Sequence, residues 1–262
     1  MGSIRTSRRR RAFTLVELLV VVAVIGILAS LLLSAVGNSK AKARETLCTS
    51  NLRQFGLSFQ MYASDFSDYV VPNKDGRNIR LGDTWVEGWL GVSGPDCTNT
   101  AYLQQSLLAS YLGSPRLWQC PTAQPVREGA QVYPRVRTLS INGFLGPGTN
   151  VLRGAVQRLS ALVAPGPAET FVFMDERPET INDGAFSLQN SFDRAQPGKW
   201  MLRDKPAVSH RGGAVIVYAD GHVATKRWVD PRTRSAPRND AIMPGNPDVL
   251  WLNDHSAQRS AL

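Results

Sequence analysis

His210, Asp220 and His222 have the side-chain types of a metal or acid–base site, since zinc accepts imidazole nitrogen and carboxylate oxygen. Asp175 and Glu176, neighbours behind a β-like run, could contribute oxygens to a cation site. Asp65, Asp68 and Asp75 form a further acidic group, for which a solvated turn is the plainer reading. The chain has three cysteines. Cys97 and Cys120 are the pair a disulfide would join in an exported domain. Cys48 reads as a small buried hydrophobe on a helix stripe. At the other end of the chain, the single acid Glu17 stands at the start of a long apolar run. An acid at mid-membrane costs about 2.5–3.5 kcal/mol, and less near the interface, so it calls for a partner. A cut between Ala12 and Phe13 would supply one: the new α-amine of Phe13 lies one helical turn from Glu17, on the same face. The amine of a neighbouring copy would serve equally.

These residues need elements to hold them. Residues 18–39 carry no charge, and as a helix would extend about 33 Å. That suffices to cross a hydrocarbon core of about 30 Å. Five of the chain's arginines precede Phe13 and account for more than half of the net charge of +9. They outnumber Lys40, Lys42 and Arg44 beyond the run, which leaves the N-terminus in the cytoplasm and the rest outside. The apolar run is too long for a cleaved secretory signal, whose apolar stretch is about 7–15 residues. Past Lys40 the pattern turns amphipathic. Cys48, Leu52, Phe55, Phe59, Tyr62, Phe66 and Tyr69 recur at steps of four and three and predict a packing face. Pro72 and the turn-forming Asn-Lys-Asp-Gly of 73–76 end the helix.

Residues 85–90, 135–141, 170–174, 214–218 and 223–228 read as strands, and 103–111 as a short helix. Residues 230–247 read as irregular. Asp220-Gly221 between two β-rich runs predicts a hairpin, with His222 opposite Ala219. His210 would then lie about 25 Å from the tip on an extended strand, which argues against a shared site with Asp220 and His222. The expected fold is α+β, a long N-terminal helix packed on an antiparallel sheet. Its expected parts are a basic leader (1–12), the helix (13–70) and a β-rich head (71–262).

"RAFTLVELLVVVAVIGILASLLL" resembles the class III signal of type IV pilins and type II secretion pseudopilins. The resemblance implies cleavage by prepilin peptidase between Ala12 and Phe13, N-methylation of Phe13, and Glu17 as the assembly glutamate. It implies a single-pass protein of the cytoplasmic membrane with an extracytoplasmic head, whose partners are the peptidase, other pilin-like subunits, the assembly machinery and lipid. The family usually has Gly before the cut, where this chain has Ala12, and often Pro where Ser34 stands. His210, nine residues, then Asp220-Gly221 resembles the C-terminal H-X9-DG signature of pilin-like proteins abundant in planctomycetes. "CTSNLRQFGLSFQMYASD" and "LWQCPTA" are similar to internal segments of the same proteins.

The expected function is therefore structural: a subunit of a pilus-like or pseudopilus fibre, not an enzyme, with no resident cofactor. Calcium in the head is what pseudopilin resemblance would allow. The alternative is a membrane-tethered binding or metal-dependent enzymatic domain built on His210, Asp220 and His222. Nucleic acid is not an expected partner, because Arg135, Arg137, Arg153 and Arg158 are scattered and lack an aromatic platform. "GPGTN" at Gly146 is a turn and not a phosphate cradle.

Overall fold

The computed structural model describes residues 14–74, 82–91, 94–123, 125–146, 155–235 and 240–257. The chain divides into two compact units, Met1–Ala43 and Arg44–Leu262. Helix α1 (Leu15–Asp65) begins in the first and ends in the second. In the first unit its aliphatic side chains from Leu15 to Val36 are exposed. This stretch is long and apolar enough to cross a membrane.

The second unit holds the rest of the fold. Its helices are α2 (Ala101–Gln104), α3 (Pro231–Ser235) and α4 (Pro247–Asp254). Its strands are β1 (Val126–Glu128), β2 (Gln131–Tyr133), β3 (Leu139–Asn142), β4 (Phe171–Asp175), β5 (Ala185–Phe186), β6 (Met201–Leu202), β7 (Gly213–Tyr218), β8 (Val223–Arg227) and β9 (Ala241–Ile242). Among the described residues the main sheet runs β5-β3-β4-β7-β8, antiparallel except for the parallel β3–β5 pair. The α+β expectation holds, and the sheet is mixed at its β5 edge. Two-stranded ribbons pair β1 with β2 and β6 with β9.

Every residue of β4 and β7 is buried, as their unbroken apolar runs require of strands covered on both faces. The second half of α1 covers one face. Phe55 meets Trp118 and Phe173 edge-on at 4.9 and 5.4 Å, and Phe59 meets Phe173 at 6.1 Å. The predicted stripe is buried from Cys48 through Tyr62. Phe66 and Tyr69 lie beyond the helix end and remain partly exposed, with Phe66 stacked on Tyr62 at 4.2 Å.

Several boundaries differ from expectation. Residues 85–90 form no strand: Trp85 and Leu90 are buried as core side chains of an irregular segment. The 103–111 helix is only the single turn of α2 followed by turns, with Ser106 Oγ bonded back to the Trp85 carbonyl. The supposedly irregular 230–247 contains α3 and β9.

Candidate functional site

The N-terminal signal ends in a local device. Thr14 N–H donates to Glu17 Oε2 at 2.9 Å, and the Thr14 hydroxyl donates to the same oxygen at 2.8 Å. Glu17 N–H donates back to Thr14 Oγ1 at 3.2 Å. This is a capping box, Thr at the N-cap and Glu three residues on, satisfying amide donors that the first helical turn leaves without partners. Glu17 therefore has a partner within its own chain. The Thr-x-x-Glu spacing was visible in the sequence and went unused there. Ala12 and Phe13 lie outside the described residues.

In the head, four side chains from distant parts of the chain converge. Cys48 comes from α1, in the part belonging to the second unit. Cys120 follows the short 3-10 turn Pro115–Trp118. Asp175 ends β4, and by strand alternation shares the α1-facing side with Phe173. His210 sits in the turn entering β7, held by reciprocal backbone bonds with Gly213. Cys48 Sγ donates to Asp175 Oδ2 at 3.2 Å, Cys120 Sγ lies 3.1 Å from His210 Nε2, and His210 Nε2 is 3.8 Å from Asp175 Oδ2. All four ligand-type atoms fall within 4.8 Å of one another, and all four residues are buried. Around them, Thr138 Oγ1 accepts from Cys120 N–H at 2.9 Å and donates to Asp175 Oδ1 at 2.7 Å. Thr122 Oγ1 lies 2.9 Å from Cys120 Sγ.

The electrostatics of the group are strongly shifted. A hydrogen bond from Cys48, helped by His210 and Thr122, draws the Cys120 thiol down to about 6 against its burial, while the same pairing drives Cys48 upward. Burial acts to lower the His210 pKa, but bonds to Asp175 and Cys120 outweigh it and lift it to about 10. These residues are soft and hard metal-ligand types in one pocket of the core.

The other sequence candidates separate. All three cysteines are free thiols, so Cys97 and Cys120 are not bonded. Cys97 Sγ donates to the Gly91 carbonyl at 3.2 Å, and Cys120 is turned to His210 instead. Cys48 is buried as expected but has a polar partner in Asp175. Glu176 points away from the cluster and accepts from Ser140 Oγ at 2.5 Å. Burial, with Asp204 nearby, holds its pKa well above the usual carboxylate range.

His222 and Asp220 sit exposed at the hairpin tip, 2.6 Å apart. The tip has three residues rather than two. Tyr218 N–H donates to the His222 carbonyl, so His222 pairs with Tyr218 and stacks on its ring at 4.2 Å. His210 lies at the other end of β7, so the three residues do not assemble. Asp65 accepts from the Tyr111 hydroxyl and Asp68 from Ser160, while Asp75 lies outside the described residues. Arg135 and Arg137, 3% and 0% exposed, are core residues out of reach of a phosphate backbone. Arg137 donates to the carbonyls of Leu139 and Asp183. Arg158 covers the Tyr69 ring at 4.0 Å, and Arg153 lies outside the described residues.

The two ends of the His210–Gly221 segment both meet α1. His210 joins the cluster that includes Cys48. At the tip, Gly221 has a φ of 90°, a conformation that favours glycine, and its backbone faces Gly56. A Cβ on Gly56 would sit 3.0 Å from the Gly221 carbonyl oxygen and 3.0 Å from Val217 Cγ1. Gln60 Nε2 donates to the Ala219 carbonyl beside it. The six residues of β7 plus its flanking turns thus set the nine-residue spacing.

Residues 7–33 match the model of the prokaryotic N-terminal methylation motif. The chain therefore carries a pilin-type N-terminal signal on a helix able to span a membrane. Neither the curated proteins nor the solved structures gave a match.

Proposed function

We propose that this chain is the precursor of a pilin-like structural subunit. Prepilin peptidase cuts between Ala12 and Phe13 and methylates the new amine. Residues 18–39 hold the subunit in the cytoplasmic membrane, with the arginine-rich leader inside and the head outside. The assembly machinery of a type II secretion or type IV pilus-like system then draws it into a fibre. Catalysis belongs to the peptidase, with this chain as substrate.

The observation that carries the reading is the methylation-motif match at residues 7–33 on a helix whose aliphatic side chains from Leu15 to Val36 are all exposed. Such a surface is stable in lipid or against other copies of itself. The capping box is compatible with cleavage, because the Thr14 amide that donates to Glu17 stays intact when Phe13 becomes the first residue. The test is intact mass and N-terminal sequencing of the membrane-extracted protein. The expected chain begins at N-methyl-Phe13. A chain retaining its leader arginines while the peptidase is present overturns the proposal.

A further inference from the structure

We propose that Cys48, Cys120, Asp175 and His210 bind one Zn2+ ion as a closed structural site inside the head. The inference stands apart from the fibre-subunit reading.

Ligand chemistry points to zinc. Two sulfurs, one imidazole nitrogen and one carboxylate oxygen form a set that zinc binds tetrahedrally. Calcium and magnesium require oxygen ligands in greater number. Geometry agrees. A tetrahedron with arms of about 2.0–2.3 Å has edges of roughly 3.3–3.8 Å. The separations of 3.1, 3.2 and 3.8 Å, with every pair inside 4.8 Å, need adjustments of only tenths of an ångström to about one ångström. All four atoms lie within 4.8 Å of one another, whereas a hydrogen-bonded chain would need only successive neighbours to meet.

The surroundings suit a metal as well. Metal-ligating groups are oriented by outer hydrogen bonds. The Thr138 hydroxyl supplies one to Asp175 Oδ1, leaving Oδ2 facing the cluster, and Thr122 lies against the Cys120 sulfur. Each ligand residue is at most 6% exposed, so four protein ligands close the shell and leave no water position of the kind a catalytic zinc keeps. Binding releases two protons to solvent, one from Cys48 and one from the Cys120–His210 pair. Two thiolates, one carboxylate and a neutral imidazole then face the dication.

The consequence for the fold is a clamp. Cys48 ties α1 to Asp175, 127 residues away, while Cys120 meets His210 across 90 residues. Bound zinc also keeps the two neighbouring thiols from oxidising to a disulfide.

The experiment uses the full-length protein, purified from membranes in detergent without chelator. Elemental analysis is expected to give close to one zinc per chain. Exchange into Co2+ is expected to give the thiolate-to-cobalt charge-transfer band and the strong visible bands of a tetrahedral site. Cys120→Ser is expected to lose both. Asp175→Cys, which replaces one zinc ligand by another, is expected to retain zinc and shift the cobalt spectrum. If Cys120→Ser fails to fold, the wild-type stoichiometry and cobalt spectrum decide. Protein that is metal-free and takes up neither Zn2+ nor Co2+ overturns the proposal. So does a Cys48–Cys120 disulfide, seen as a mass lower by two hydrogens, or binding of calcium alone.

Discussion

Glu17 has two tasks open to it, and one substitution separates them. Gln at the third helical position still accepts from Thr14, so Glu17→Gln preserves the helix start but removes the charge. If a subunit amine needs that charge, Glu17→Gln will lower the sheared-fibre fraction of processed subunit as far as Glu17→Ala does, with unchanged helicity by circular dichroism. Equal incorporation of Glu17→Gln and wild type would leave the cap as the residue's whole role. A second residue sets a pH response in the head. Asp204 is buried near Asp183 and Glu176, with Arg203 as the nearby cation. Burial raises its pKa to about 7 against the pull of the Ser187 amide, which donates to Oδ2 at 2.6 Å. The folded state keeps the proton that the unfolded chain releases near pH 4, so the contribution is full below about pH 4 and is lost as pH rises through 7. The loss is on the order of a few kcal/mol. Asp204→Asn is expected to flatten the decline of Tm between about pH 4 and 7. The cap was legible as Thr-x-x-Glu, but the shift at Asp204 was not, because it depends on burial that no local pattern announces.

At the scale of elements, the apolar stripe of α1 and the hairpin at Asp220-Gly221 were readable because each is periodic or local. The cluster of Cys48, Cys120, Asp175 and His210 was not readable, since its members sit on four segments with no fixed spacing. Only tertiary packing brings β4 and the turn before β7 under α1. The same long-range logic applies to Cys97 and Cys120, which the sequence leaves open as a disulfide pair and which are free thiols: eligible residue types say nothing about where their sulfurs point. Phe55 is fully buried between Trp118 and Phe173, so Phe55→Ala is expected to cost about 3–5 kcal/mol, read as a lower denaturation midpoint. Gly56 faces the hairpin tip with no room for a methyl group without adjustment. Gly56→Ala gains about 1 kcal/mol of helix propensity. Overpacking costs about 1–3 kcal/mol. The net expectation is a modest fall in Tm, growing sharply for Gly56→Val. A rise in Tm for both would show that the helix and hairpin do not pack closely.

On the scale of the molecule, the two units have opposite solvent requirements. In the first unit Leu15 to Val36 expose a continuous aliphatic surface, whereas the described residues of the second bury most of their large apolar side chains in one core. A chain of residues 44–262 is expected to be soluble and monomeric by size-exclusion chromatography, with a cooperative melt, while the full chain needs detergent. The α+β plan was legible from patterning: a helical period first, short strands afterwards. What the pattern did not convey is the order in which the parts can find one another. The N-terminal helix is synthesised first, yet its packing partners include Ala219 and Gly221, and Gln60 reaches a carbonyl 159 residues later. Contacts so distant in sequence slow folding, because much chain must be ordered before they form. During synthesis, Cys48, Phe55 and Phe59 stay without their packing partners until Trp118 and β4 have followed. The earliest segment made is thus among the last to be seated, and a stalled or shortened chain leaves that aromatic face open to aggregation.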